Sequence, residues 1–390
     1  MQKFILRYVK FTSLVCALTL LFAAPCLAVS QTELKASLRG ALGFELSPIT
    51  PYTGELSCAQ ALQNSCEALG LRFELQLFEK LFLLPELQIE DPLLEAAKHL
   101  SPAVPRNLLE SPSAELSQEM LLALVDWVTS CKKGLTLRAN FLHPNGTELR
   151  ILRKNIGKAG ELINTGALSS RPLFVVTLLL DPQKHKASIA KAENFGDPKA
   201  ELSRIAAENF GCLAAINGGY FFNNNQPVGV LKTDGLLENA QVWKNRSAVC
   251  WNEQGEILFV DGSNAAILTQ AATQKFSEAF QAGPMLVKNG AKCTSTDDIN
   301  IKVLNFRHPR TIFGVCGDKI MLTVIDGRNP LHSVGTTIQE TKDICLALGM
   351  KTALNLDGGG SSALWWLGEL MNLPSENGVE RKIPYGIVFK

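Results

Sequence analysis

The 390-residue sequence predicts an α+β protein, with a small helical domain at the N-terminus followed by a mixed β-sheet domain that contains a βαβ unit. Three observations carry this. Apolar residues recur at helical spacing up to about residue 134, and alternating or continuous β-branched runs dominate from Leu135 onward. A strand, a capped helix and a second strand then follow one another between Ile320 and Leu356. The expected organisation is a signal peptide over 1–28, a helical domain of unknown role over 29–134, and a β-rich domain over 135–390.

Lys3, Arg7 and Lys10 precede an apolar run from Phe11 to Ala24, and Cys26-Leu27-Ala28 supplies small residues at a cleavage site. This is the pattern of a secretory signal, and Pro25 directly before Cys26 does not fit a lipoprotein box. No later stretch is long and apolar enough to span a membrane, so the expectation is a secreted or periplasmic protein with no transmembrane segment after cleavage. Lys plus Arg number 38 against 37 Asp plus Glu, which gives no electrostatic footprint for nucleic acid.

Eight cysteines remain after the leader: Cys58, Cys66, Cys131, Cys212, Cys250, Cys293, Cys316 and Cys345. Their pairing is not readable from sequence. Cys58 and Cys66 fall on one expected helix, where eight residues rise about 12 Å, too far for a disulfide between them. The chain has no CxxC pair, and neither a metal nor another cofactor is expected.

In the helical region, Leu34, Leu38 and Leu42 recur every four residues, and Leu116, Met120, Leu124 and Trp127/Val128 form a second stripe. Prolines 85, 92, 102, 105 and 112 divide the region into short helices. His99 stands alone there.

Beyond Leu135, the segment Leu135 to Phe141 alternates and Leu173 to Leu180 is continuously apolar. Pro198 to Phe210 reads as a helix with Leu202, Ile205 and Ala206 inward. Cys212 to Ile216 then runs into Asn217-Gly218-Gly219, a strand meeting glycines. Asp234-Gly235 and Asp261-Gly262, between apolar runs, read as hairpin turns.

The later Asp-Gly pairs have a different context. Asp326-Gly327 follows the strand Ile320 to Ile325, a capping box Thr337-x-x-Glu340 opens the helix to Leu348, Gly349 stops it, and Thr352 to Leu356 leads into Asp357-Gly-Gly-Gly-Ser-Ser362. A crossover of this kind makes the two strands parallel, as neighbours or one strand removed, and delivers Asp326 and Asp357 to one edge of the sheet. That places two carboxyls within general acid and base range. The Gly358, Gly359, Gly360, Ser361 and Ser362 loop is read as a nest of N–H and hydroxyl donors for an anion. Arg246, Arg310, Arg328 and Arg381 lie in polar breaks nearby, and a guanidinium matches phosphate oxygens. His308 and His332 flank the same region and rank below the aspartates as proton-transfer groups.

From about Arg171 onward the chain resembles the phosphodiester glycosidase family. The resemblance rests on ordered blocks: Ala215-Ile-Asn-Gly-Gly-Tyr-Phe221, Pro227-Val-Gly229, Asn245-Arg-Ser-Ala248, Ala282-Gly-Pro-Met-Leu286, His308-Pro-Arg-Thr311, Val324-Ile-Asp-Gly-Arg328, Leu354-Asn-Leu-Asp-Gly-Gly-Gly-Ser-Ser362 and Asn372-Leu-Pro-Ser375 before Arg381. Cys250 stands where the family often has glycine, and Ser362 where threonine is common. The resemblance implies cleavage of a sugar 1-phosphodiester on the sugar side. Asp326 and Asp357 would serve as nucleophile or base and as orienting carboxylate, in an order left open. Arg310, Arg328 and the 358–362 loop would hold the phosphate, with Asn217 and Gly218 lining the sugar pocket. Two other readings fit the same residues: a metal-dependent phosphodiesterase built on Asp326, Asp357 and His332 or His308, and a non-catalytic envelope protein that binds exopolysaccharide.

Overall fold

The computed structural model describes residues 29–42, 56–69, 71, 73, 74, 76, 77, 80, 115–132, 134–156, 171–262, 275–294 and 305–390. The expected signal peptide, the prolines from 85 to 112 and His99 lie outside these. The described residues form two compact units, one drawn from 1–68 and 101–130, the other from 69–100 and 131–390. No helix of the described residues is long and apolar enough to cross a membrane.

The first unit is built on helices α1 (Gln31–Leu42), α2 (Cys58–Ala68) and most of α3 (Gln118–Lys132). The described side chains of the two expected stripes point inward, with that of Leu42 outside the description: Leu34, Leu38, Leu116, Leu124 and Val128 are fully buried and Trp127 nearly so, with Met120 half-buried. Cys58 and Cys66 both sit on α2, and the eight described cysteines form no disulfide with one another.

The second unit is mainly β. Its elements in chain order are β1 (Leu135–Leu142), β2 (Glu148–Ile156), β3 (Leu173–Leu180), β4 (Ala187–Lys191), helix α4 (Leu202–Glu208), β5 (Ala214–Asn217), β6 (Leu231–Thr233), β7 (Leu236–Asn239), β8 (Ala248–Trp251), β9 (Ile257–Val260) and β10 (Glu278–Gln281). They continue with β11 (Met285–Lys288), β12 (Ala291–Lys292), β13 (Arg310–Cys316), β14 (Lys319–Ile325), helix α5 (Ile338–Ala347), β15 (Thr352–Asn355), β16 (Leu364–Trp366), β17 (Glu369–Leu370) and β18 (Tyr385–Phe389). The largest sheet runs β1-β2-β3-β14-β13-β15-β11-β12, a second β7-β6-β10-β8-β9, and a third β17-β16-β5-β18-β4.

Burial follows sequence character. β3, the continuous apolar run, is buried at every position because it lies between β2 and β14 with both faces covered. β2 alternates, with one face inward. Leu202, Ile205 and Ala206 of α4 are buried as their spacing predicts. Ile338 and Cys345 of α5 pack on Val175, Ile312, Met321 and Ala353 of the large sheet, while Trp251 of the second sheet stacks on Phe313 at 5.9 Å.

The expectation of a mixed sheet with a βαβ unit is corrected in one respect: every pairing among the described strands of the large sheet is antiparallel. β14 and β15 run the same way because each is antiparallel to β13, which lies between them. The tight Cys316–Lys319 turn, with Gly317 at φ 62°, folds β13 back onto β14 and claims that position before the crossover through α5 returns. The class remains α+β.

The capping box is formed as read: Thr337 Oγ1 accepts from the Glu340 N–H at 3.3 Å, and Glu340 Oε2 accepts from the Thr337 N–H at 2.9 Å. Thr337→Ala removes the first of these, and an unfolding titration should show a loss of about 1 kcal/mol.

Candidate active site

β13 begins where the two later Asp-Gly corners meet. A side chain at Gly327 would come within 2.7 Å of the Pro309 nitrogen, and one at Gly358 within 2.7 Å of the Pro309 carbonyl oxygen. The Pro309 peptide is therefore wedged between the two corners. This is why these corners need glycine, whereas Gly235 of the β6–β7 hairpin has open space around it. The Gly359 N–H donates to the Pro309 carbonyl at 3.0 Å and fixes the arrangement.

Asp357, at the exit of β15, is half-buried. Burial pushes its carboxyl up to about 6, while the Ser361 hydroxyl, the Arg381 charge and the Gly358 N–H pull the other way. Tyr220, half-buried, and Tyr385, buried, feel its charge, and their own hydroxyls are driven upward by burial first and by Asp357 second. Tyr220 also carries the Arg246 guanidinium over its ring at 4.9 Å, with the Trp243 ring 5.9 Å from the same cation.

The glycine loop turns differently from the nest that its sequence suggests. Residues Gly359–Ser361 wind into a single 3-10 turn, so the N–H groups of Gly359, Ser361 and Ser362 go to the carbonyls of Pro309, Gly358 and Gly359. Cationic side chains lie over the loop instead. The Arg328 guanidinium lies where a Cβ at Gly359 would stand, 2.9 Å from Nη2, and the Arg381 guanidinium does the same at Gly360, paired with Glu376. Gly359 also has φ 63°, and Arg328 itself sits at φ 62°, a left-handed conformation costly for a residue that carries a Cβ and tolerated where the surrounding structure enforces it. His308 Nδ1 is 3.3 Å from Arg328 Nη2. The hydroxyl of Ser362, buried, meets no hydrogen-bond partner among the described residues.

Asp326 is held otherwise. It is 1 % exposed, and its carboxylate accepts from Asn372 Nδ2 at 2.9 Å and the Leu373 N–H at 2.9 Å, with His332 Nε2 at 2.8 Å. Asn372 Nδ2 reaches on to the Ser362 carbonyl at 3.1 Å, so Asp326 and Asp357 act on the two ends of one loop. His332 Nδ1 is 3.3 Å from Glu74 Oε1, and Glu74 is paired with Arg153 at 2.7 Å, every one of these groups buried.

The remaining expected site residues are committed to the protein. Asn217, fully buried, donates to the carbonyls of Asp357 at 2.8 Å and Gly218 at 3.2 Å and accepts from Thr311 Oγ1 and the Ala363 N–H, which uses all its polar capacity. Gly218 is packed flat against the Tyr385 ring, 2.2 Å from where a Cβ would be. Arg310 is 1 % exposed and donates to the carbonyls of Thr336 and Phe306, and burial brings its guanidinium down to about 10, still a cation at neutral pH. Among the described residues no three His, Cys, Asp or Glu side chains converge as a metal-holding group, and His332 and Asp326 spend their facing atoms on each other.

Tyr220, Tyr385, Asn372, Glu74 and Arg153 join the cluster without having been singled out. Tyr220 and Asn372 stand inside the quoted blocks, whereas Glu74 and Arg153 carry no local signal.

Comparison with known proteins accords with this geometry. The chain is 28% identical over 204 residues to the SPbeta prophage-derived uncharacterized protein YomE of Bacillus subtilis (strain 168), covering 48% of this chain but only 29% of that relative's length. The fold is similar to a hypothetical protein from Synechocystis, at TM-score 0.52 and 18% identity over 65% of this chain and 63% of that one. It is similar as well to the zebrafish N-acetylglucosamine-1-phosphodiester alpha-N-acetylglucosaminidase catalytic domain, auto-inhibited by its pro-peptide, at TM-score 0.51 and 21% identity over 65% of this chain and 87% of that one. Residues 210–390, the C-terminal part of the chain, match the phosphodiester glycosidase family.

Proposed function

We propose that the protein is an exported glycosidase that hydrolyses a sugar 1-phosphodiester, N-acetylglucosamine-1-phosphodiester-like, to free sugar and a phosphomonoester. The observation that carries this is a half-buried Asp357 carboxyl, its proton affinity raised by burial, beside a loop whose glycines are overlaid by the Arg328 and Arg381 guanidinium groups. A phosphate leaving group departs already charged, so cations to receive it matter more than a strong general acid. Arg328 and Arg381, with the buried Ser362 hydroxyl, receive the phosphate. Asp357 in its ionised form attacks the anomeric carbon or takes the proton from the water that does. Asp326 is the orienting carboxylate, and Asn217, Gly218 and Arg310 hold the frame. Arg246 on its aromatic bed closes the sugar side.

Hydrolysis of a synthetic sugar phosphodiester in ¹⁸O-labelled water tests the reading. The label is expected in the sugar hydroxyl; label in the phosphate would mean attack at phosphorus and favour the metal-dependent alternative, and absence of turnover across a panel of sugars would favour a binding protein. In the same assay Arg328→Met should raise KM about tenfold with a smaller change in kcat, as loss of a phosphate contact on an exposed side chain predicts.

A further inference from the structure

The family match begins at residue 210, yet one buried charge that reaches the site comes from far upstream. Glu74 and Arg153 are both fully buried and face each other at 2.7 Å. Glu74 also lies 3.3 Å from Nδ1 of His332, whose Nε2 is 2.8 Å from Asp326. The ring is packed by Phe73, centroid 5.5 Å away, and Phe174, 4.8 Å away. The charged or titratable groups facing His332 are thus Glu74 from the upstream segment, Arg153 from β2 and Asp326 from the end of β14. An imidazole between two carboxylates can satisfy both only by carrying a proton on each nitrogen. With that proton the four groups sum to zero charge; without it a net negative charge would be buried among aromatic rings.

We propose that Glu74 is a positioning residue of the active site, which keeps His332 doubly protonated so that its Nε2 fixes Asp326, and through Asn372 fixes the Ser362 end of the glycine loop. The region before the family domain is then part of the enzyme's working structure. Burial alone would lower the affinity of His332 for its second proton, but the charges of Glu74 and Asp326 outweigh it and raise that affinity, in the direction the geometry requires. A neutral amide at residue 74 removes one of these two charges and lets the imidazole lose its proton at lower pH.

This rests on the glycosidase reading for its kinetic arm and is independent of it for its spectroscopic arm. The experiment uses the full chain and compares the parent with Glu74→Gln and with the charge-balanced double variant Glu74→Gln/Arg153→Met, which spares the partner arginine an unpaired burial. Nitrogen-15 spectra of His332 should show both ring nitrogens protonated at neutral pH in the parent, and folded Glu74 variants should lose the second ring proton at a lower pH than the parent does. With a sugar phosphodiester, kcat should fall roughly 10- to 100-fold with KM within threefold, and Glu74→Asp should recover part of it. A neutral ring in the parent at pH 7, or a folded Glu74 variant with unchanged kcat, overturns the proposal. A charged His332 in a protein that turns over no sugar phosphodiester would overturn the functional reading and leave the charge relay standing.

Discussion

Asp357→Asn is expected to lower kcat by about 10³-fold while the fold persists, because in the proposed reaction it removes the ionised carboxylate assigned to the anomeric carbon without changing the volume of the site. The parent enzyme should lose kcat/KM below about pH 6, where Asp357 takes up its proton, and hold it above. The same substitution should stabilise the protein, and the sign can be worked out. Burial raises the folded carboxyl above the ordinary aspartate value near 4, so between about pH 4 and 6 the native state holds a proton that the unfolded chain has released. Stability therefore declines as pH rises through that window and stays lower above it. An asparagine has no such dependence. At pH 7.5 the variant should gain about 2 kcal/mol over its parent, discounted from the full shift because the side chain is partly open to solvent, and at pH 4 the gain should vanish. Denaturant titrations at the two pH values check both statements, and an active Asp357→Asn protein would remove this residue from the chemistry.

Asp326→Asn should do the reverse. The native carboxylate faces three donors: the His332 ring, the Asn372 amide and the Leu373 N–H. An amide in its place turns an N–H toward at least one of them and leaves the buried imidazole short of its counter-charge. Breaking a buried ion pair by removing one partner costs about 3–5 kcal/mol, and that loss is the expected result of a denaturant titration at pH 7. Activity should fall as well, through displacement of Asn372 and the loop it holds. A folded variant of unchanged stability would show that the carboxylate is not what organises this cluster. The two aspartates look alike as Asp-Gly corners at strand ends, and only their surroundings separate an acid that resists ionising from one that is fully solvated by protein donors.

That difference marks where sequence reading stops. Periodicity located α4, β3, the Thr337 cap and the glycine loop because each is dictated by neighbours within a few residues, and the ordered blocks were enough to indicate the family. Pairing was less legible. A crossover of suitable length indicates that β14 and β15 run the same way, but which strand lies between them depends on the β13 hairpin, a longer-range competition. Three glycines in a row suggest open N–H groups, yet whether those groups meet a ligand or a carbonyl is decided by the Pro309 peptide, nearly fifty residues upstream. Asn217 belongs to a glycine-rich strand end that resembles a pocket, and its polar atoms turn out to tie β5 to the Asp357 corner and to Thr311 of β13. Glu74 shows the limit most plainly: a single glutamate in a helical stretch has no pattern to distinguish it, and its partners lie 79 and 258 residues along the chain at Arg153 and His332.

The third sheet has a consequence for biosynthesis. Its order places β18 between β5 and β4, and Tyr385 at the start of β18 holds the Gly219 N–H at 3.0 Å. Residues 187–191 and 214–217 are thus translated long before the strand that joins them. At ordinary ribosomal speeds of roughly 5–20 residues per second the wait is about 10–40 s. Throughout that interval β4 and β5 lack their common neighbour, and the Gly219 N–H lacks the Tyr385 hydroxyl that receives it in the finished fold.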